Sequence, residues 1–153
     1  MSSNSNATTI HRFYEECINQ NRIEVLPELV TENVIFHGPD GRKQTGIAAY
    51  RQAIHHTHEM FSSSHITVED VVSNGDKAAA RWTMTATNSG PVMGVAPTNK
   101  PVTQNAIVLY RFENGKIAEI WLQFDRLTVL QQVGAKIPGM ADPSAVSANS
   151  APQ

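Results

Sequence analysis

YRFENGKIAEIWLQFD, Tyr110 to Asp125, is the stretch that decides how this chain folds. Asn114-Gly115 is the residue pair favoured in a two-residue hairpin turn, where both positions need positive φ. Val102–Phe112 before it and Lys116–Phe124 after it read as antiparallel strands. The second strand is apolar on both faces. Ile117 and Trp121 stand on one; Ala118, Ile120, Leu122 and Phe124 stand on the other. A sheet with one wet face alternates more cleanly. One face is therefore expected to meet helices and a pocket, the other a second subunit.

Working outward, Lys77–Asn88 reads as a third long strand. His65–Val72 is a fourth, joined to it by the turn signal Ser73 to Asp76. Between Asn88 and Pro101 there are two Gly, three Pro and no period, which predicts a substantial loop. The first half has helical spacing instead. Ile10, Phe13, Tyr14, Cys17 and Ile18 form one apolar stripe, and Ile47, Tyr50, Ile54, His58 and Phe61 another. A short helix fits Ile23–Leu29, a short strand Val34–His37, and a last helix follows Asp125. Helices followed by a meander of long strands predict an α+β fold, with N-terminal helices packed on a strongly curved antiparallel sheet. Residues 1–8 are expected to be flexible, residues 9–135 to form one domain, and residues 136–153 to be a disordered tail.

With 153 residues, 41% apolar, the chain can bury a core without disulfides. A net charge of -2 and no basic run exclude a nucleic-acid groove or a membrane-surface patch. No apolar run has the length of a membrane span. The opening MSSNSNATT lacks the apolar core of a signal peptide, so a cytoplasmic location is expected. Cys17, the lone cysteine, falls on the first helical stripe and reads as a buried thiol.

Chemistry is sought first at Asp125. Glu119, Trp121, Gln123 and Asp125 fall on one side of the strand by period two. A carboxylate beside an indole at a cavity mouth has its pKa raised by desolvation and can serve as acid or base. The competing reading makes Asp125 the N-cap of the helix that follows, which lowers its pKa. His37 is either a core or a pocket histidine. His58 faces inward; the run HHTH, His55 to His58, offers no complete metal-ligand set, and no metal is expected. Trp82, Met84 and Asn88 share one face of their strand. Asn105 and Arg111 share a face of the next, opposite Gln104 and Tyr110. Buried amides make substrate anchors. Tyr14 brings a hydroxyl from the first helix. No phosphate loop or dinucleotide fingerprint is present, so no cofactor is expected.

These features together resemble a known family. The stretch from GDKAAARWTMTATN through RFENGKIAEIW, Asp125 and LQQVG, with FHGP and ITVEDVV upstream, is similar to the SnoaL-like polyketide cyclase family of the NTF2-like superfamily. The resemblance covers about Thr8 to Gly134. It implies a cone-shaped α+β barrel, a homodimer paired through the sheet, and a deep apolar pocket. It also implies intramolecular aldol cyclisation of an apolar, polyketide-like carbonyl substrate, without metal or nucleotide. The family's acid/base residue falls on Asp125, and His37 and Trp121 fall on pocket-lining positions. The chain departs from the family at Thr87-Asn88, where a histidine often follows the threonine. It departs again at Phe61-Ser62-Ser63, and at Arg111, near a family histidine. Fold alone does not fix function. The expected activity is that of a cyclase or isomerase using Asp125 with His37. Tyr14, His58, Trp82, Met84, Asn88, Asn105, Arg111 and Trp121 would hold the substrate. The alternatives are a non-catalytic binding protein, or a hydrolase or dehydratase using the same pocket.

Overall fold

The computed structural model describes residues 3–140. Helix α1 (Ser3–Arg12) continues as a π-helical stretch, Phe13–Asn19. A 3-10 turn (Ile23–Val25) and the short α2 (Leu26–Leu29) lead into β1 (Val30–His37). β2 (Lys43–Thr45) precedes α3 (Ile47–Met60). The strands β3 (Phe61–Asn74), β4 (Lys77–Asn88), β5 (Pro101–Glu113) and β6 (Lys116–Phe124) follow, and α4 (Arg126–Gln132) comes last.

The hairpin read from Asn114-Gly115 is the centre of the sheet. Strand order is β2-β1-β6-β5-β4-β3. All neighbours are antiparallel except β1 and β6, which run parallel. The β3–β4 and β5–β6 turns use positive φ at Gly75 and Gly115, as tight hairpin geometry demands. Register shifts in three of the ladders mark bulges, which bend strands and increase their twist. The sheet curves around the helices but keeps two free edges, β2 and β3, so the expected barrel is open rather than closed.

Alternation sets the inner face. On β5, Val102, Gln104, Ala106, Val108, Tyr110 and Phe112 are buried, and the residues between them are not. On β4, Ala78 through Asn88 alternate in the same way. Phe13, Tyr14 and Cys17 from the π-helical stretch and Tyr50 and Ile54 from α3 cover this face. Each large apolar side chain buried here contributes roughly 1.5–3 kcal/mol. A bulge at Ala118 alters β6: Phe112 pairs with Ile117, but Arg111 pairs with Glu119. Ile117 is thereby turned inward and fully buried, joining Ile120 rather than Trp121.

Three further expectations change. The first helix begins at Ser3, seven residues before Ile10, the first residue of the apolar stripe. The turn around Pro39 to Gly41 leads into a three-residue strand, β2, that carries no apolar pattern. β1 begins at Val30 and β3 at Phe61, each four residues earlier than read. Of the expected tail, residues 136–140 contain no helix or strand, and residues 141–153 lie outside the described residues.

Candidate functional site

The inner face carries a short chain of polar rings in an otherwise apolar setting. Trp82 Nε1 donates to Tyr14 Oη at 2.9 Å, and Tyr14 Oη is in turn hydrogen-bonded to Tyr110 Oη. The π-helical stretch has wider turns than an α-helix, and it brings Phe13, Tyr14 and Cys17 to the core together. Tyr14 and Tyr110 are pushed above the ordinary phenol range because burial disfavours the phenolate. Both hydroxyls are therefore neutral donors at physiological pH. Phe13 stacks on Tyr50, with centroids 5.9 Å apart, and closes the apolar wall behind them.

Cross-strand register runs this interior toward Asp125. Trp82 pairs with Ala106, and Ala106 with Phe124, all on the inner face; Asp125 is the next residue. Met84 and Gln104 form the row beyond. Asp125 itself is exposed and caps α4. Its Oδ1 accepts from Thr128 N at 2.9 Å and its Oδ2 from Thr128 Oγ1 at 2.5 Å. These bonds, the Thr128 hydroxyl first, hold the carboxyl below the usual aspartate range. The expected rise through desolvation beside an indole does not occur, because Trp121 points elsewhere.

Trp121 stacks on His37, with centroids 5.2 Å apart and planes 2° from parallel. His37 Nε2 lies 2.8 Å from Glu119 Oε1, and Arg111 Nε donates to Glu119 Oε2 at 3.0 Å. Glu119 is held below the usual carboxylate range, first by His37 and then by Arg111. This cluster and Asn105 stand on the outer face, turned away from the helices. The sequence reading joined the Trp121 side to the helices and pocket; the structure joins it to the outside. Asn105 Oδ1 accepts from Thr83 Oγ1, also on that face.

The remaining amide and histidine are occupied. Asn88 Nδ2 donates to Gly90 O, while its Oδ1 accepts from Thr98 N and Thr98 Oγ1. Its amide is spent on pinning the 89–100 loop. That loop reaches α4, where Arg126 Nη2 donates to Met93 Sδ at 3.0 Å. His58 Nε2 donates to Ile18 O at 3.3 Å. His55 and His56 are exposed beside Glu59. Among the described residues no three His, Cys, Asp or Glu side chains converge as metal ligands. Two surface depressions of about 340 Å³ lie elsewhere, one beside Asn6 and Asp76, the other beside His11 and His65; neither includes an expected site residue.

The inner face thus gathers Tyr14, Trp82 and Met84 from the expected set and adds Tyr110 and Gln104. Their parity on β5 was readable, but nothing local marked that face as the inner one. Neutral donors, apolar walls and an ionised carboxylate at the end of the row suit chemistry on a carbonyl compound.

Comparison with known proteins settles the family. The sequence model of the SnoaL-like polyketide cyclases matches residues 8–133. This chain belongs to that family. Its fold is similar to those of solved SnoaL-like structures. A candidate SnoaL-like polyketide cyclase from Jannaschia sp. CCS1 superposes with a TM-score of 0.81 at 22% identity, covering 88% of this chain and 95% of that one. IdmH, a candidate polyketide cyclase from Streptomyces antibioticus, has a TM-score of 0.75 at 29% identity, covering 85% and 99%. TsrD from Streptomyces laurentii has a TM-score of 0.80 at 24% identity, covering 89% and 99%. No curated protein matches. No helix among the described residues is long and apolar enough to cross a membrane.

Proposed function

We propose that this chain is a cyclase or isomerase acting on an apolar, polyketide-like substrate through proton abstraction beside a carbonyl. The observation that carries the reading is the buried Trp82–Tyr14–Tyr110 chain of neutral donors. A phenol kept protonated in an apolar site stabilises an enolate without surrendering its own proton. The proton is assigned to Asp125. Its lowered pKa makes it a weak base, and that restricts the substrate. Only a carbon acid already activated, such as a methylene between two carbonyls, yields a proton to such a base at a useful rate. Intramolecular aldol closure then needs the resulting enolate to attack a second carbonyl of the same chain.

One observation favours a second reading. Both Asp125 oxygens are engaged by Thr128, so Asp125 can be a cap and the protein a carrier of the same ligands without chemistry. Deuterium exchange at the methylene of an aryl β-keto ester, measured above the buffer rate, separates the two. For the cyclase reading, Asp125→Asn lowers exchange about 100-fold or more while the protein stays folded. Equal exchange by the variant assigns Asp125 to the cap alone.

We also propose that two copies pair through the outer sheet face. Ile107 and Leu109, 62% and 40% exposed, stand there beside Trp121. Burying such a strip is the common route to a stable homodimer. A monomeric mass in sedimentation at micromolar concentration would overturn it.

A further inference from the structure

Gln104 is the side-chain amide of the inner face to which the fold gives no hydrogen bond among the described residues. It is only 6% exposed and sits on β5 between Val102 and Ala106, opposite Met84. Of the other polar groups on that face, Trp82, Tyr14 and Tyr110 bond one another and Asn88 holds the loop; the Tyr50 hydroxyl, like the Gln104 amide, has no hydrogen bond among the described residues. No hydrogen bond to the Gln104 amide occurs among the described residues. Nor is it sealed off: Asn6 Oδ1 is the sole described side-chain atom both closed to solvent and unpaired. A near-buried amide that keeps contact with solvent and has no protein partner is free to exchange water for a ligand group.

We infer that Gln104 is a specificity-determining residue that reads the oxygenation of the substrate, Nε2 donating to a ketone oxygen and Oε1 accepting from a neighbouring hydroxyl. The inference rests on the carbonyl-substrate reading above and adds a residue to it. Trp82 is one row away on the neighbouring strand, so an apolar ligand lying against Trp82 and Met84 presents its oxygens within reach of this amide. A site with a buried hydrogen-bonding group discriminates against ligands that leave it unpaired. Hydrocarbon analogues are therefore disfavoured relative to ketones of equal size.

The test uses two probes of like shape, 1-phenylbutane-1,3-dione and n-butylbenzene, titrated calorimetrically into the full chain and into Gln104→Met. The wild type is expected to prefer the diketone. The variant should bind the diketone about tenfold more weakly and butylbenzene at least as well. Its Tm should equal or exceed that of the wild type, since the substitution removes no protein hydrogen bond and keeps an apolar side chain of similar size on the inner face. Unchanged diketone affinity in the variant overturns the Gln104 assignment while leaving the carbonyl-substrate reading intact. A Tm well below that of the wild type also overturns it, by marking the amide as structural. Failure of the wild type to bind either probe overturns both readings together.

Discussion

Replacing Asp125 with Ala removes two hydrogen bonds from the first turn of α4, to Thr128 N and Thr128 Oγ1. Loss of an N-cap costs about 1 kcal/mol, up to about 2 in a well-formed case. For a domain of this size that corresponds to a Tm drop of roughly 3–6 °C. Asp125→Asn keeps an acceptor and should lose about half as much. The effect has a pH signature. The carboxyl pKa is lower in the folded chain than in the unfolded one. Its stabilisation is therefore complete above the unfolded value, near pH 4, and disappears as pH falls through the lower folded value. Thermal unfolding followed by circular dichroism between pH 2.5 and 7 measures both quantities. Wild type and Asp125→Ala should differ at pH 7 and converge at the acid end. Equal Tm values at pH 7 would refute the cap, and a gap that persists undiminished at pH 2.5 would refute the ionic origin of the stabilisation.

Two further outcomes follow from the packing. A Cβ on Gly90 would lie 2.3 Å from Glu59 O, so Gly90→Ala forces backbone apart where the loop meets α3 and should cost about 1–3 kcal/mol in urea unfolding; wild-type stability would mean the loop is not seated there. Leu109→Lys places a charge on the outer apolar strip beside Trp121 and should convert the proposed dimer to monomer in sedimentation without lowering Tm by more than about 2 °C; an intact dimer would move the interface elsewhere.

Much of the fold was legible because its strongest signals are local. Asn114-Gly115 states its turn through φ at both residues, Gly75 does so within Ser73 to Asp76, and Lys77–Asn88 and Lys116–Phe124 occur with the boundaries read from alternation. What escaped has no local signal. β2, Lys-Gln-Thr, is fully exposed and is held by pairing with β1 rather than by burial. The early start of β1 rests on Val30 pairing with Ile117, a contact 87 residues away in sequence.

The candidate site was misread for a related reason. Period two states which residues share a face but not which face meets the helices. β6 is apolar on both sides, so it could not decide, and its bulge at Ala118 shifts Ile117 to the other set. β5 could have decided. Val102, Ala106, Val108, Tyr110 and Phe112 make one of its faces nearly continuous in apolar side chains, and the other mixes Ile107 and Leu109 with Thr103, Asn105, Arg111 and Glu113. Weighting β5 over β6 moves Asn105, Arg111 and, through the β5–β6 register, Trp121 to the outside, and moves Gln104 and Tyr110 inward. Asp125 remains where the two faces meet, the residue after Phe124 on the inner row and the cap of α4. Its two roles compete for the same oxygens. If the carboxylate takes a proton from carbon, it does so by loosening its hold on Thr128, so binding of an enolate mimic should weaken the α4 cap. Greater amide exchange at Thr128 in the liganded protein than in the free one is the expected sign of that coupling, and unchanged exchange would leave Asp125 to the helix alone.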